Sequence, residues 1–281
     1  MEWLKNLNDA IKYIESNLTG EIAYEKAASI AGCSTSYFQR MFTYISGVSL
    51  SEYIRKRRMT QAAFDLQTSQ MKVIDVALKY GYDSPTAFYR AFKSVHGITP
   101  VAAREKHTKL SSFLPLMLNV SVSGGENMPY QIEEKDGMRA IGYGIPITVN
   151  IEENQKIIPE FWRETLGNGK IKELLAMKNQ KVEGILGVTD YTDEHGFYYY
   201  IAVTSDRQPG DGMYEIEIPA HKWAAFSSDG PYKENIQNIY KRFLTEWLPF
   251  SGYRYAEMAD VEVYKEGESS GYSELWLGIL G

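Results

Sequence analysis

Ser36-Tyr-Phe-Gln-Arg-Met-Phe-Thr-Tyr-Ile-Ser-Gly-Val-Ser-Leu50 returns fifty residues later as Thr86-Ala-Phe-Tyr-Arg-Ala-Phe-Lys-Ser-Val-His-Gly-Ile-Thr-Pro100. Phe38, Arg40, Phe42 and Gly47 align with Phe88, Arg90, Phe92 and Gly97. Each copy follows a short helical stretch and a glycine turn, Ala27 to Ser34 in the first case and Val76 to Ser84 in the second. Helix, tight turn and helix, twice over, is the pattern of two helix-turn-helix units, whose second helices enter the major groove of DNA.

The flanking sequence supports that pattern. Leu4, Leu7, Ile11, Ile14 and Leu18 build one face of a first helix. Ser34 suits the N-cap of the helix it precedes, and Pro85 suits a first helical position, where a missing N–H costs nothing. Leu50 to Leu66 reads as a long connecting helix. In the two recognition helices Tyr37, Phe38, Met41 and Phe42, then Phe88, Ala91 and Phe92, are spaced to pack inward. That leaves Ser36, Gln39 and Arg40, then Thr86, Tyr89 and Arg90, to look outward. Arg forks to guanine, Gln pairs with adenine, and Thr or Tyr touches a thymine methyl or a phosphate. The run Arg55-Lys-Arg-Arg58 lies between the two units. It is either a solvated face or, through Arg55 and Arg57, a set of phosphate contacts.

The net charge of −6 hides a division: residues 1–110 carry 15 Lys and Arg against 10 Asp and Glu, and residues 111–281 carry 15 against 26. A basic front half and an acidic back half fit polyanion binding by one domain. Cys33 is the single cysteine and the four histidines stand singly, so no disulfide, metal site or cofactor is expected. The stretch Met1-Glu-Trp-Leu-Lys-Asn6 is unlike a signal peptide, and no apolar run is long enough to span a bilayer. The expectation is a cytoplasmic protein without a membrane partner.

Residues of about 5–107 resemble the DNA-binding domain of the AraC/XylS family of bacterial transcription regulators. The resemblance rests on Ala28-Ser-Ile-Ala-Gly32, Ser34 through Phe42, Tyr53-Ile-Arg-Lys-Arg-Arg-Met59, Ile74-Asp-Val-Ala77, Gly81-Tyr-Asp-Ser84, Phe88-Tyr-Arg-Ala-Phe92 and Gly97-Ile-Thr-Pro100. It implies an all-α domain of seven helices over residues 1–110, with double-stranded promoter DNA as partner and RNA polymerase as a further one. Its groove-facing positions fall on Ser36, Gln39 and Arg40, then Thr86, Ala87 and Arg90. Ala103 stands where the family commonly has Tyr, which is expected to loosen the last helix.

After Lys109 the texture turns to Ser, Gly, Asn and Pro, marking residues 111–128 as a linker. Beyond it lies a fainter repeat: strand-turn-strand at Ile132 to Ile141 and at Ile216 to Ala225, a helix after each, then two strands. Two such β-α-β-β units build an α+β domain over residues 129–281, an antiparallel sheet with helices on one face. This half holds 13 Tyr, 6 Phe and 4 of the 5 Trp. That many rings with a net negative charge make either an aromatic core or a cleft for apolar cations.

This second half resembles the GyrI-like effector-binding domain of multidrug-sensing regulators. Ile158-Pro-Glu-Phe-Trp162, Ile216 through Phe226, Gly230-Pro-Tyr232, Glu246-Trp-Leu-Pro249, Ser251-Gly-Tyr253 and Ser273-Glu-Leu-Trp276 carry the resemblance. It implies a carboxylate at the pocket floor, matched here by Glu274. Strand alternation puts Trp276 on the same face. Trp162 and Trp223 complete the expected walls, Glu262 is a second carboxylate, and Tyr199 a neighbouring hydroxyl. The reading is a sequence-specific transcription regulator, not an enzyme, that responds to a small lipophilic or cationic effector. Two alternatives stand beside it: a small-molecule hydrolase using Glu274 with a tyrosine such as Tyr199, and a ligandless platform for protein partners.

Overall fold

The structure is a computed structural model that describes residues 2–105, 107–118, 127–148, 151–191, 197–265 and 270–281. The chain divides into two compact units, Met1–Ser121 and Val122–Gly281.

The first unit is all helical: α1 (Glu2–Ser16), α2 (Tyr24–Ala31), α3 (Thr35–Ser46), α4 (Leu50–Thr68), α5 (Val73–Lys79) and α6 (Pro85–His96). The expected seventh helix is a single 3-10 turn, Ala102–Arg104. Helices α3 and α6 start and stop by the same devices. The hydroxyl of Ser34 accepts from the Tyr37 N–H, and that of Ser84 from the Ala87 N–H. Gly47 and Gly97 end the two helices in the left-handed region at φ +72° and +75°, where a side chain would be strained. Met59, Ala62, Ala63 and Leu66 of α4 pack with Val76, Ala77 and Tyr80 and with Phe88 and Phe92 to form the core of the second helix-turn-helix. Residues 113–118, within the stretch expected as linker, bond back to this unit: Phe113 N–H to Thr60, Leu116 N–H to Tyr53 and Leu118 N–H to Asn8. Residues 119–126 of that stretch lie outside the described residues.

The second unit contains β1 (Tyr130–Lys135), β2 (Met138–Ile147), α7 (Ile151–Gly167), α8 (Lys170–Met177), β3 (Ile185–Asp190), β4 (Phe197–Thr204), β5 (Tyr214–Ile218) and β6 (His221–Pro231). It continues through α9 (Tyr232–Arg242), a π-turn at Phe243–Trp247, α10 (Leu248–Ser251), β7 (Arg254–Tyr255), β8 (Asp260–Tyr264) and β9 (Ser270–Leu280). The sheet is antiparallel in the order β1-β6-β9-β8-β3-β4-β2-β5, with β7 added beside β9. The two strand-turn-strand segments do not pair within themselves. β1 pairs with β6 and β2 with β5, so each repeat lends its first strand to the other.

Alternation gives this sheet two different faces. On one, Ile141, Tyr143, Tyr199, Ile201 and Val203 pack under Phe161 of α7 and Leu174 of α8. On the other, Leu186, Val188, Tyr200, Ala202, Val261 and Val263 meet Ile216, Ile218, Trp223 and Trp276 in one cluster. That cluster joins residues from both ends of the strand order, so the sheet curls with this face inside. Among the described residues no helix is long and apolar enough to cross a membrane.

Candidate functional site

In the first unit α4 spans 19 residues. At 1.5 Å rise per residue it is roughly 28 Å long and joins the two helix-turn-helix units. On α6, Thr86, Ala87, Tyr89 and Arg90 are all exposed while Phe88 and Phe92 are buried. On α3, Ser36 and Gln39 are half-buried. Arg40 departs from the outward expectation: it is 7% exposed, with its guanidinium 5.7 Å from the ring centre of Tyr37.

The cationic run on α4 is mostly structural, which corrects the reading of Arg57 as a phosphate contact. Arg57 is 4% exposed and grips Glu15 of α1 with Nε at 2.9 Å and Nη2 at 2.7 Å. Tyr53 donates to the same carboxylate at 2.7 Å. Arg58 donates to the carbonyls of Leu18 and Gly20, closing the α1–α2 turn. Arg55 forks onto Glu52 with two 2.7 Å bonds, and this partner holds the Glu52 carboxyl below its ordinary range. Arg55 keeps a third of its side chain exposed.

In the second unit the six expected effector residues fall on opposite faces of the sheet. Trp162, Tyr199 and Glu262 come together on the helix-covered face. Glu274, Trp276 and Trp223 share the inner face. Register explains the split: Glu262 stands opposite Leu275 in the β8–β9 pair, and Glu274 opposite Val263.

Glu262 is a buried carboxylate with no basic partner among the described residues. It is 7% exposed and accepts the Tyr199 hydroxyl at 2.7 Å and the Tyr264 hydroxyl at 2.8 Å. The indole N–H of Trp162 in turn donates to the Tyr199 oxygen at 2.8 Å. Trp162 and Tyr232 stand edge-on to the Tyr264 ring, with centroids at 5.1 Å and 4.8 Å. Burial pushes the Glu262 carboxyl up to about 7, against the lowering effect of its two tyrosine donors.

Glu274, expected at the pocket floor, already has its charge answered. Lys265 pairs with it at 2.8 Å and the Trp276 indole N–H donates to it at 2.8 Å. Burial pushes its carboxyl up, yet these donors outweigh it and leave the group below its ordinary value. The face of Trp276 is taken as well, by the Lys135 ammonium 4.1 Å from its ring centre. Trp223 is completely buried in the inner cluster. Trp223 and Trp276 thus belong to the inner core, and the half-buried Glu274 lies beside them with its charge paired.

Residues 131–279 match the family described as integron-associated effector binding protein, and residues 27–106 match a helix-turn-helix domain family. Over 110 residues the chain is 39% identical to the HTH-type transcriptional activator AarP of Providencia stuartii, covering 39% of this chain and 82% of that protein. The chain belongs to the AraC-type regulators and carries a GyrI-like effector-binding domain. Two relatives match along both domains. The right origin-binding protein of Escherichia coli K12 is 28% identical over 275 residues, 94% of this chain and 91% of that one. The transcriptional regulator Rob of Salmonella typhimurium is 23% identical over the same shares. This AraC-type protein is thus a DNA-binding transcription regulator with a domain for a small effector.

Sequence reasoning missed Tyr264, Asp260 and Gly187. The first two were within reach. In Asp260-Val-Glu-Val-Tyr264 the polar and aromatic residues alternate with valine, which places Asp260, Glu262 and Tyr264 on one face. Asp260 is fully buried and accepts the hydroxyls of Tyr240 at 3.0 Å and Tyr255 at 2.5 Å. Gly187 stands opposite Glu262 in the β3–β8 pair. A Cβ at Gly187 would overlap both the Tyr199 hydroxyl and a Glu262 oxygen.

Proposed function

We propose that this regulator reads two adjacent major-groove segments with α3 and α6 and senses a small lipophilic cation at Glu262. The observation that carries the effector reading is a buried carboxylate flanked by tyrosine hydroxyls and aromatic rings, with no basic partner among the described residues. An ionised acid in such surroundings gains from any ligand that supplies the missing charge. Trp162 and Tyr264 then offer ring surface to the ligand.

For DNA, the reading rests on Ser36 and Gln39 of α3 and on Thr86, Ala87, Tyr89 and Arg90 of α6. Arg55 and Lys56 remain available to phosphate through their exposed portions. RNA polymerase is the proposed further partner, by analogy with AarP, whose name is that of a transcriptional activator.

The test is a tryptophan-fluorescence titration of the full chain with tetraphenylphosphonium and with the neutral triphenylphosphine oxide. Saturable quenching by the cation, lost in Glu262→Gln and retained in Glu274→Gln, is the expected result. Equal response to both compounds would make the carboxylate irrelevant to recognition.

The 2.7 Å contact between Tyr199 and Glu262 also suits a general base with an orienting hydroxyl, which keeps a hydrolase reading in play. We take the site as one of binding without turnover. Recovery of unchanged ligand after long incubation is the check.

A further inference from the structure

We infer that the Glu262 site takes its ligand by exchange, a monocation entering as a proton leaves. This inference rests on the effector reading above and adds the chemical state of the site in each condition.

The groups that face Glu262 leave an anion there poorly answered. From β4 comes the Tyr199 hydroxyl, and from β8 itself the Tyr264 hydroxyl. From β3 comes Gly187, and from β9 Leu275. From α7 comes Trp162, engaged with Tyr199, and from α9 Tyr232, edge-on to Tyr264. Two residues back along β8, on the same face, lies a second buried acid, Asp260, held by Tyr240 of α9 and Tyr255 of β7. Among the described residues, hydroxyls, rings and another acid surround the carboxylate. Lys265, the basic residue nearest in sequence, is committed to Glu274 on the opposite face.

Two conditions relieve a buried carboxylate in such a setting: a proton on it, or a cation beside it. The hydrogen bonds accommodate both. In the ionised form Tyr199 and Tyr264 donate, as their geometry shows. In the acid form the carboxyl O–H needs an acceptor. Both the Tyr199 and the Tyr264 oxygens lie within reach to accept it, since a hydroxyl oxygen that receives one donor, as that of Tyr199 does from Trp162, keeps a second lone pair. The upward push of burial on Glu262, to about 7, agrees with a proton held there in mildly acidic conditions.

Entry of a permanent cation places positive charge against the acid proton and drives it to solvent. Charge balances: the carboxylic acid and the free cation become a carboxylate–cation pair and one released proton. Asp260 strengthens the preference for some positive species in either state, because its own charge lies close by.

The experiment is isothermal titration calorimetry of the full chain with tetraphenylphosphonium, in buffers of low and high ionisation enthalpy, from about pH 5.5 to about pH 8.5. The ligand does not titrate, so proton release reports on the protein. The expected result is close to one proton released per cation at the acid end and none at the alkaline end. Apparent affinity should weaken about tenfold per pH unit on the acid side. Glu262→Gln should abolish the release. Binding with the same affinity and no buffer dependence across this range overturns the exchange and leaves the effector reading intact. Release that persists in Glu262→Gln overturns it too, by assigning the proton elsewhere. Failure of the wild-type chain to bind the cation at any pH overturns the effector reading, and the exchange with it.

Discussion

Tyr199 reaches Glu262 diagonally across the sheet, over Gly187. The two rows that meet there run Tyr199, Thr189, Asp260 and Ile201, Gly187, Glu262. The Tyr199 hydroxyl crosses from one row to the other because Gly187 carries no side chain, and ends 2.7 Å from the carboxylate. Gly187 has ordinary strand backbone, so its size serves space and not conformation. Gly187→Ala is therefore expected to separate the pair. Overpacking of this kind costs about 1–3 kcal/mol of stability. The thermal midpoint should fall, and the variant should lose its preference for tetraphenylphosphonium over the neutral phosphine oxide. A variant that melts lower yet keeps the preference would show that Tyr199 and Glu262 still meet.

Glu262 should also leave its mark on stability in the absence of ligand. Its folded value near 7 lies above the ordinary 4.5, so between those limits the folded state binds the extra proton. Stability then declines as pH rises through this window and stays low above it. The difference corresponds to on the order of 3 kcal/mol. Glu262→Gln removes the titrating group, and its second unit should be more stable than wild type at alkaline pH. Denaturant melts at several pH values measure both the slope and its loss.

The cationic run on α4 separates two roles that charge alone does not distinguish. Arg57→Ala leaves the half-buried Glu15 beside Tyr53 without its cation. Breaking a fully buried pair costs about 3–5 kcal/mol, and the partial exposure of Glu15 puts this pair toward or below the lower end. Arg90 is exposed, and replacing a base-reading arginine costs about 1–3 kcal/mol of specific binding. Arg57→Ala should lower the melting temperature strongly, while the protein that remains folded keeps its operator preference. Arg90→Ala should melt like wild type and bind the operator less selectively. Melting curves paired with competition binding on operator and scrambled DNA test this, and a reversal of the two phenotypes would exchange the assignments.

Much of this was readable in the chain. The repeat of Phe38, Arg40 and Phe42 in Phe88, Arg90 and Phe92 declares two helix-turn-helix units, because helical spacing and glycine stops are local properties. Arg57 was misread although its position is informative. Leu50, Tyr53, Ile54, Arg57 and Thr60 follow each other at helical spacing and are all buried, so Arg57 lies on the inner stripe of α4. A charge on that stripe calls for a partner, but that the partner is Glu15, 42 residues away, is a tertiary fact. The sheet shows the same limit. Alternation tells that Glu274 and Trp276 share a face and that Glu262 and Tyr264 share one. It does not tell which face the helices cover, or that Lys265 and Lys135 fold onto the first pair.

His96 ends α6 in a setting whose response to acid is opposite in sign to that of Glu262. Its Nε2 lies 3.0 Å from the Met59 carbonyl, so that nitrogen carries the hydrogen and donates. The ring packs against Phe92 with centroids 4.4 Å apart and is 7% exposed. Burial holds its pKa below the ordinary 6.5. The unfolded chain therefore takes up a proton at 6.5 that the folded one resists, and the first unit loses stability as pH falls below that value. Over the same interval Glu262 stabilises the second unit. Mild acid should thus loosen the DNA-reading unit while tightening the effector unit. His96→Gln should flatten the response of the first unit below 6.5 and leave that of the second unchanged. Hydrogen exchange resolved by peptide, followed from about pH 7 to about pH 5, reads the two units separately. A first unit whose exchange responds to acid as before in His96→Gln would place the titrating group elsewhere.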